Sequence, residues 1–309
     1  MRRKRLLNAV FVVGALGVSL LVTRHVMKSG WPLHHANLWL VGLSGTLILA
    51  AYASKAWGWQ RLFRSEQRPA ALTLAAAGGA ASVAGIALPG RCDEVVRLAV
   101  VRRCRRRRAS VGAVALSLFL MGLIDSVALT PFASVAAGIT NANGWVRAGL
   151  IVVAVAGVAS AAVVLHLPQI ARAKRLARFR LAAWVGEHSA SRSDAITAWA
   201  GITFSWVLRA VAVCVLLAAL GFGFDVAAGL GFLCASSASA ALPVAPAGAA
   251  TQAGAGAAML MASGMHTAQA IAFGIASQGL GIIAGAVFVL ALGAWHAHGR
   301  LPQLAGRLA

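Results

Sequence analysis

The sequence has very few acidic residues and little charge of any kind. Asp and Glu together number 7 against 28 Lys and Arg, only 11% of the 309 residues are charged, and 60% are hydrophobic. A soluble domain cannot cover that much apolar surface with polar groups. These proportions exclude an ordinary water-soluble globular protein and indicate an integral membrane protein.

Cysteine is also scarce, and no set of metal ligands or nucleophiles can be recognised. The 4 cysteines lie in or beside apolar runs without paired spacing, which predicts neither a disulfide framework nor a zinc site. No Gly-x-x-x-x-Gly-Lys-Ser/Thr motif for a nucleotide phosphate occurs. No Ser/His/Asp or Cys/His set can be assembled. We therefore expect no metal, no cofactor, no catalytic residue and no enzymatic activity.

Long apolar runs predict one all-α polytopic membrane domain over residues 1–309, with about six transmembrane helices. The predicted spans are about 6–23, 37–57, 109–132, 146–167, 195–220 and 268–294. Basic residues gather in the short segments between these runs, as the positive-inside rule expects. The formal charge of +21 therefore does not indicate nucleic-acid binding. The same charge pattern predicts cytoplasmic N- and C-termini.

One conflict in this pattern falls at Pro89-Gly90. The apolar run over residues 70–88 is long enough to cross a membrane once, yet basic residues flank it on both sides, so both flanks should be cytoplasmic. A re-entrant pair resolves the conflict. One half-helix enters the membrane, the chain breaks at Pro89-Gly90, and a second half-helix over about residues 93–101 returns.

A second apolar run of small residues, from Asp225 to Leu242, predicts a second broken pair. The break lies between Pro243 and Gly248 and contains Pro246, and the next half-helix reaches about Ser263. Ala87-Leu88-Pro89 also matches Ala241-Leu242-Pro243. Each half therefore has the order helix, helix, broken pair, helix, with opposite orientation, which predicts an inverted repeat as in many transporters. The predicted repeats are about 6–143 and 146–297.

Charged residues at the predicted membrane depth form a candidate binding site. A charge at the centre of a transmembrane helix costs about 2.5–3.5 kcal/mol on insertion scales, so such residues should be paired, hydrated or functional. Arginine and half-helix N-termini both bind phosphate oxygens. The candidates are Arg91, Glu94, Arg97, Asp125 and Arg209. The alternative is that ion pairs, such as one between Arg97 and Asp125, only hold the re-entrant loop in place.

Three motifs resemble the lysylphosphatidylglycerol synthase/flippase transmembrane family of bacteria and archaea. Its Pro-Gly-Arg-x-Gly-Glu-x-x-Arg signature is similar to Pro89-Gly90-Arg91 with Glu94 and Arg97, although Asp93 replaces the second glycine. Its Glu-Arg-x-x-Asp motif is represented by Asp125, with Met121 and Gly122 in place of the Glu-Arg pair. Its Pro-x-x-Pro-Gly-Gly element is similar to Pro243-x-x-Pro246-x-Gly248, with Ala247 for a glycine. Ala253 stands where a glutamate is usual, so its nearest polar neighbours, Thr251 and Gln252, are added as candidate substrate contacts.

The resemblance implies a lipid flippase of the bacterial inner membrane. Its substrate would be an anionic or aminoacylated phospholipid, or a polyprenyl-linked sugar, and anionic membrane lipids would bind the basic segments. The alternative is a non-catalytic membrane subunit that anchors or regulates a glycosyltransferase or lipid-modifying enzyme, with that enzyme or a second copy of the chain as its partner. Exchange of lipid by the isolated protein would discriminate the two.

Overall fold

The computed structural model describes residues 36–85, 92–103, 110–139, 144–172, 184, 191–241 and 248–308. Within these ranges the chain forms nine helices, a short 3-10 turn at Ser65–Gln67 and no strand. The helices are α1 (Leu38–Arg61), α2 (Ala71–Ala84), α3 (Cys92–Arg103), α4 (Val111–Ile139), α5 (Gly144–Arg172), α6 (Arg192–Ala219), α7 (Val226–Ala241), α8 (Gly248–Ala262) and α9 (Thr267–Leu308).

Five of these helices are long and apolar enough to cross a membrane. They are α1, α4, α5, α6 and α9, and each corresponds to one of the predicted spans. The predicted all-α polytopic fold class is confirmed. The remaining predicted span, residues 6–23, lies outside the described residues.

Two helix ends were predicted wrongly. The segment after Phe132 was expected to be an external loop, but α4 contains Pro131 and continues to Ile139, and α5 begins at Gly144. Ala133, Ala136 and Ala137 after the proline are buried in the core, and this packing favours continuation of the helix. The last helix was expected to end near residue 294, but α9 continues to Leu308.

The four remaining helices form two short pairs. α2 and α3 have 14 and 12 residues and pack against each other, as do α7 and α8, with 16 and 15 residues. At about 1.5 Å per residue none is as long as the roughly 30 Å hydrocarbon core. α2 ends at Ala84 and α3 begins at Cys92, and α7 ends at Ala241 and α8 begins at Gly248, so the predicted breaks lie between the described ends of each pair. Entry and exit on one side of the membrane stay a prediction.

The longest helix–helix contact joins α1 and α6, which run antiparallel. The backbone N–H of Asn37 donates to the Ala219 carbonyl (2.9 Å), and the Ser44 hydroxyl donates to the Ala212 carbonyl (2.8 Å). Toward the other end, the Ser54 hydroxyl donates to the Gly201 carbonyl (2.7 Å). Polar side chains therefore bond to backbone along the whole contact, which satisfies them inside an apolar scaffold.

Glycines allow the helices to approach closely at two places. A Cβ built on Gly201 of α6 would lie 3.1 Å from the Cα of Gly58 in α1. A Cβ built on Gly285 of α9 would lie 2.8 Å from the Cα of Gly79 in α2. Small residues at helix contacts are the usual route to tight packing in membranes. Here they bring α1, α2, α6 and α9 together around one interior space.

Candidate functional site

A cavity of about 870 Å³ lies between the two halves of the helical bundle. Every described helix except α5 contributes to its wall. The wall includes charged side chains from α1, α3, α4 and α6, whereas α7, α8 and α9 contribute hydroxyl and amide groups. The charged residues are Lys55, Asp93, Glu94, Arg97, Asp125 and Arg209, and the hydroxyl and amide residues of α7–α9 are Ser236, Ser237, Ser239, Thr251, Gln252, Ser277 and Gln278.

An ion pair between α1 and α4 forms one part of this wall. The Lys55 ammonium lies 2.7 Å from Oδ2 of Asp125, and the side chains are 21% and 19% exposed. The other carboxylate oxygen of Asp125 accepts a hydrogen bond from Nε1 of Trp206 on α6 (3.0 Å). Both oxygens are therefore occupied, as a charge held among apolar helices requires.

Arg209 of α6 is held by aromatic rings. Its guanidinium carbon lies 5.3 Å from the ring centroid of Tyr52 and 5.4 Å from that of Trp206. Ring faces attract a cation without neutralising it. Its Nε is buried and has no hydrogen-bond partner, and no ion pair reaches Arg209 from the described part of the chain. Arg209 therefore lies at the cavity held by ring faces, with its Nε still without an acceptor among the described residues.

The first turn of α3 places a second arginine at the cavity. Asp93 and Glu94 lie in that turn, where carboxylates favour the positive end of the helix dipole. Nη2 of Arg97 lies 3.3 Å from Oδ2 of Asp93, one turn away, while Nε of Arg97 is buried without a partner. Asp93 of the same helix therefore pairs with one nitrogen of Arg97, and a second nitrogen, Nε, has no partner.

Amide groups of α8 and α9 meet at the cavity. The Gln278 amide nitrogen lies 3.5 Å from Oε1 of Gln252. The hydroxyl of Tyr52 on α1 bonds the hydroxyl of Ser82 (2.5 Å) and lies 3.3 Å from the Gly281 carbonyl oxygen. The two amides offer hydrogen bonds without charge.

The structure brings together all the predicted contact residues that it describes. Glu94, Arg97, Asp125, Arg209, Thr251 and Gln252 line this one cavity. Gly248 is the first residue of α8, beside the predicted break. Arg91, Pro89, Gly90, Pro243 and Pro246 lie outside the described residues. Binding of substrate by any of these residues stays a prediction.

Two pairings differ from those considered in the sequence. Asp125 pairs with Lys55 and not with Arg97, because α1 presents the Lys55 ammonium 2.7 Å from the carboxylate. Asp93 pairs with Arg97 and also lines the cavity. Asp225 caps α7, since its Oδ1 accepts from the backbone N–H of Ala228 (3.0 Å).

Sequence reasoning missed three residues of the site. Lys55 was assigned to the basic flank of the second span, but it lies inside α1 and lines the cavity. Tyr52, the single tyrosine of the chain, and Trp206 were not among the predicted contacts. One signal was present: Asp125 needed a cation at membrane depth.

No group of three His, Cys, Asp or Glu side chains that could hold a metal ion occurs among the described residues. The fold and the cavity define a class: a polytopic helical membrane protein with a charged, hydroxyl-lined interior space. Within that class, the family model for the lysylphosphatidylglycerol synthase TM region matches residues 5–293, and the chain belongs to this family. No curated protein and no solved structure matches the chain significantly.

Proposed function

We propose that this protein moves a lipid with an anionic headgroup between the two leaflets of a bacterial inner membrane. The observation that carries the proposal is the cavity, which holds six charged side chains inside an otherwise apolar helical bundle. Lipids cross a bilayer slowly because the headgroup must leave water. A polar space within the protein lowers that cost while the acyl chains stay in lipid.

The size and chemistry of the cavity support a headgroup as its occupant. Its volume of about 870 Å³ falls in the range of small-molecule sites, roughly 300–1,000 Å³. Arg97 and Arg209 each keep a buried Nε without a partner, and guanidinium groups match phosphate oxygens well. Hydroxyl and amide groups on the opposite wall would bind the neutral polar part of the headgroup.

The helix arrangement supports a transport role over a static one. Two broken helix pairs and close glycine contacts surround the cavity, and discontinuous helices at a repeat interface form the substrate sites of many transporters. We assign the protein no catalytic step and no cofactor. A partner enzyme or a second copy of the chain belongs to the alternative function and stays a prediction.

Exchange of labelled lipid in proteoliposomes tests the proposal. The purified full chain is reconstituted, and the fraction of fluorescent phosphatidylglycerol that an external quencher reaches is followed in time. We expect wild-type protein to accelerate exchange and Arg209→Ala to slow it at least about tenfold, since a charge-assisted hydrogen bond contributes about 1.5–3 kcal/mol.

Arg147→Ala is the matched control, because Arg147 is exposed on α5, away from the cavity. It should leave exchange unchanged. Exchange by the wild type no faster than in protein-free vesicles would reject the proposal. If a membrane enzyme also co-purified in stoichiometric amount, the alternative, a regulatory or anchoring subunit, would be favoured.

A further inference from the structure

We infer that the anionic group of the substrate binds beside Arg209 and Gly281. In the other half of the protein, the carboxylate of Asp125 fills the equivalent place. The inference rests on the proposed function and adds the location and charge of the substrate group. Its basis is a correspondence between the two halves of the helical bundle, whose equivalent residues line the cavity.

The helices of the two halves correspond by a nearly constant shift along the chain. α1 and α6 begin at Leu38 and Arg192, a shift of 154 positions (192 minus 38). Their N-caps, Asn37 and Ser191, have the same shift, and each cap side chain accepts a backbone N–H of the first turn. α4 and α9 begin at Val111 and Thr267, a shift of 156 positions (267 minus 111).

Equivalent positions of the two halves line the cavity. With the shift of α1 to α6, Tyr52 corresponds to Trp206 and Lys55 to Arg209, and all four line the cavity. With the shift of α4 to α9, Asp125 corresponds to Gly281, which also lines it. One wall of the cavity is therefore an approximate copy of the other.

A pair of polar contacts supports this correspondence independently. Nε1 of Trp206 donates to the carboxylate of Asp125 (3.0 Å). The hydroxyl of Tyr52, which also bonds the hydroxyl of Ser82 at 2.5 Å, lies 3.3 Å from the carbonyl oxygen of Gly281. Each contact joins the same two helix positions in opposite halves, so the equivalence holds in space as well as along the chain.

The two copies differ in their acids. Lys55 has a carboxylate at 2.7 Å, but for its equivalent Arg209 the corresponding position is Gly281, which has no side chain. A Cβ built on Gly281 meets nothing within 4 Å, so the space of the missing carboxylate is open. A cation therefore occurs in both halves, as Lys55 and Arg209, whereas the carboxylate occurs only in the first half, as Asp125.

An oxyanion from the substrate completes the second copy. The rings of Tyr52 and Trp206 fix the guanidinium of Arg209 without neutralising it, and its Nε is unpartnered. A phosphate beside Gly281 would pair with Arg209 in the way that the carboxylate of Asp125 pairs with Lys55. Arginine at this position, where the first half has lysine, suits a ligand with two oxygens, since its planar fork binds both. The required chemistry is a phosphate or phosphodiester anion.

Gly281→Asp tests the inference by supplying the missing carboxylate from the protein. It should occupy Arg209 and reduce exchange of fluorescent phosphatidylglycerol at least about tenfold, the effect of one lost charge-assisted interaction. Gly281→Asn has the same shape without the charge and should exchange faster than Gly281→Asp. Equal loss in both variants would mean that the side chain only blocks the space, and would overturn the inference.

A binding measurement separates this inference from the proposed function. Thermal unfolding of the wild type is followed with phosphatidylglycerol, phosphatidylcholine or inorganic phosphate. Phosphatidylglycerol should raise the midpoint for the wild type and not for Gly281→Asp or Arg209→Gln. Stabilisation by inorganic phosphate and not by phosphatidylglycerol would overturn the lipid source, and equal stabilisation of all three proteins would overturn the site.

The two ideas can fail separately. If wild-type protein binds phosphatidylglycerol through Arg209 but does not exchange it, the anion site stands and transport is rejected. If exchange is fast and Gly281→Asp leaves both exchange and binding unchanged, transport stands and the anion site is rejected.

Discussion

Removal of either partner from the ion pair between Lys55 and Asp125 should be costly, and a double-mutant cycle tests this. Removal of one partner from a buried pair costs about 3–5 kcal/mol, whereas an exposed pair contributes about 0.2–1 kcal/mol. The two side chains are only 21% and 19% exposed, so we expect the lower part of the buried range. Lys55→Met should therefore cost about 3 kcal/mol, because it leaves a carboxylate without its cation.

Asp125→Leu should cost more than Lys55→Met. It leaves the ammonium uncompensated and also removes the acceptor of the Trp206 indole, 3.0 Å away, which adds about 1 kcal/mol. The double variant replaces both charges with apolar groups of similar size and should lose only about 1 kcal/mol. The effects of the single changes are therefore expected to be strongly non-additive.

Thermal unfolding in one detergent at one heating rate measures the cycle, since irreversible unfolding depends on the rate. At about 2–4 °C per kcal/mol, each single change should lower the midpoint by roughly 6 °C or more. Arg68 and Asp194, 2.6 Å apart and 25% and 30% exposed, form the comparison pair and should show a smaller coupling. Additive effects of Lys55→Met and Asp125→Leu would refute the reasoning.

Two further predictions concern packing and capping. Gly79→Ala should lower the unfolding midpoint by an amount equivalent to about 1–3 kcal/mol, because its Cβ would overlap the backbone of α9. The control is Gly42→Ala, whose Cβ meets nothing within 4 Å and which should be neutral or slightly stabilising. A larger loss from Gly42→Ala than from Gly79→Ala would contradict the glycine contact. Asp225→Ala should lower stability by about 1 kcal/mol through loss of the α7 cap, whereas Asp225→Asn should be close to wild type because its side-chain oxygen can still accept the bond. Equal losses of stability in both variants would show that the charge and not the cap matters.

The helices could be predicted well because apolar length alone defines them. A membrane requires about 20 apolar residues per span, and basic residues mark the ends, so α1 and α6 were predicted to within a few residues. The ends of α4 and α9 were predicted poorly. They were expected near residues 132 and 294, but α4 continues past Pro131, since neighbouring helices tolerate a proline within a membrane helix.

The residue types of the site could be predicted from the sequence, but the pairs that these residues form could not. The cost of a charge at membrane depth drew attention to Asp125 and Arg209 without any knowledge of their neighbours. Their partners lie on other helices: Lys55 is 70 positions from Asp125, and no local pattern links them. Lys55 was assigned to a basic flank because sequence alone does not show which face of α1 points inward.

The distribution of acids over the molecule favours release of the substrate as well as binding. Of the 7 acidic residues in the chain, Asp93, Glu94 and Asp125 line the cavity, where they stand against the same number of described cations, Lys55, Arg97 and Arg209. The described wall is thus formally neutral in a protein whose net charge is +21. A strongly positive cavity would hold an anionic headgroup too tightly, and passage requires binding that is weak enough to leave. With Lys55 and Arg97 already paired inside the protein, we expect recognition to depend on Arg209, whose single ring-held charge would select an anion and still release it.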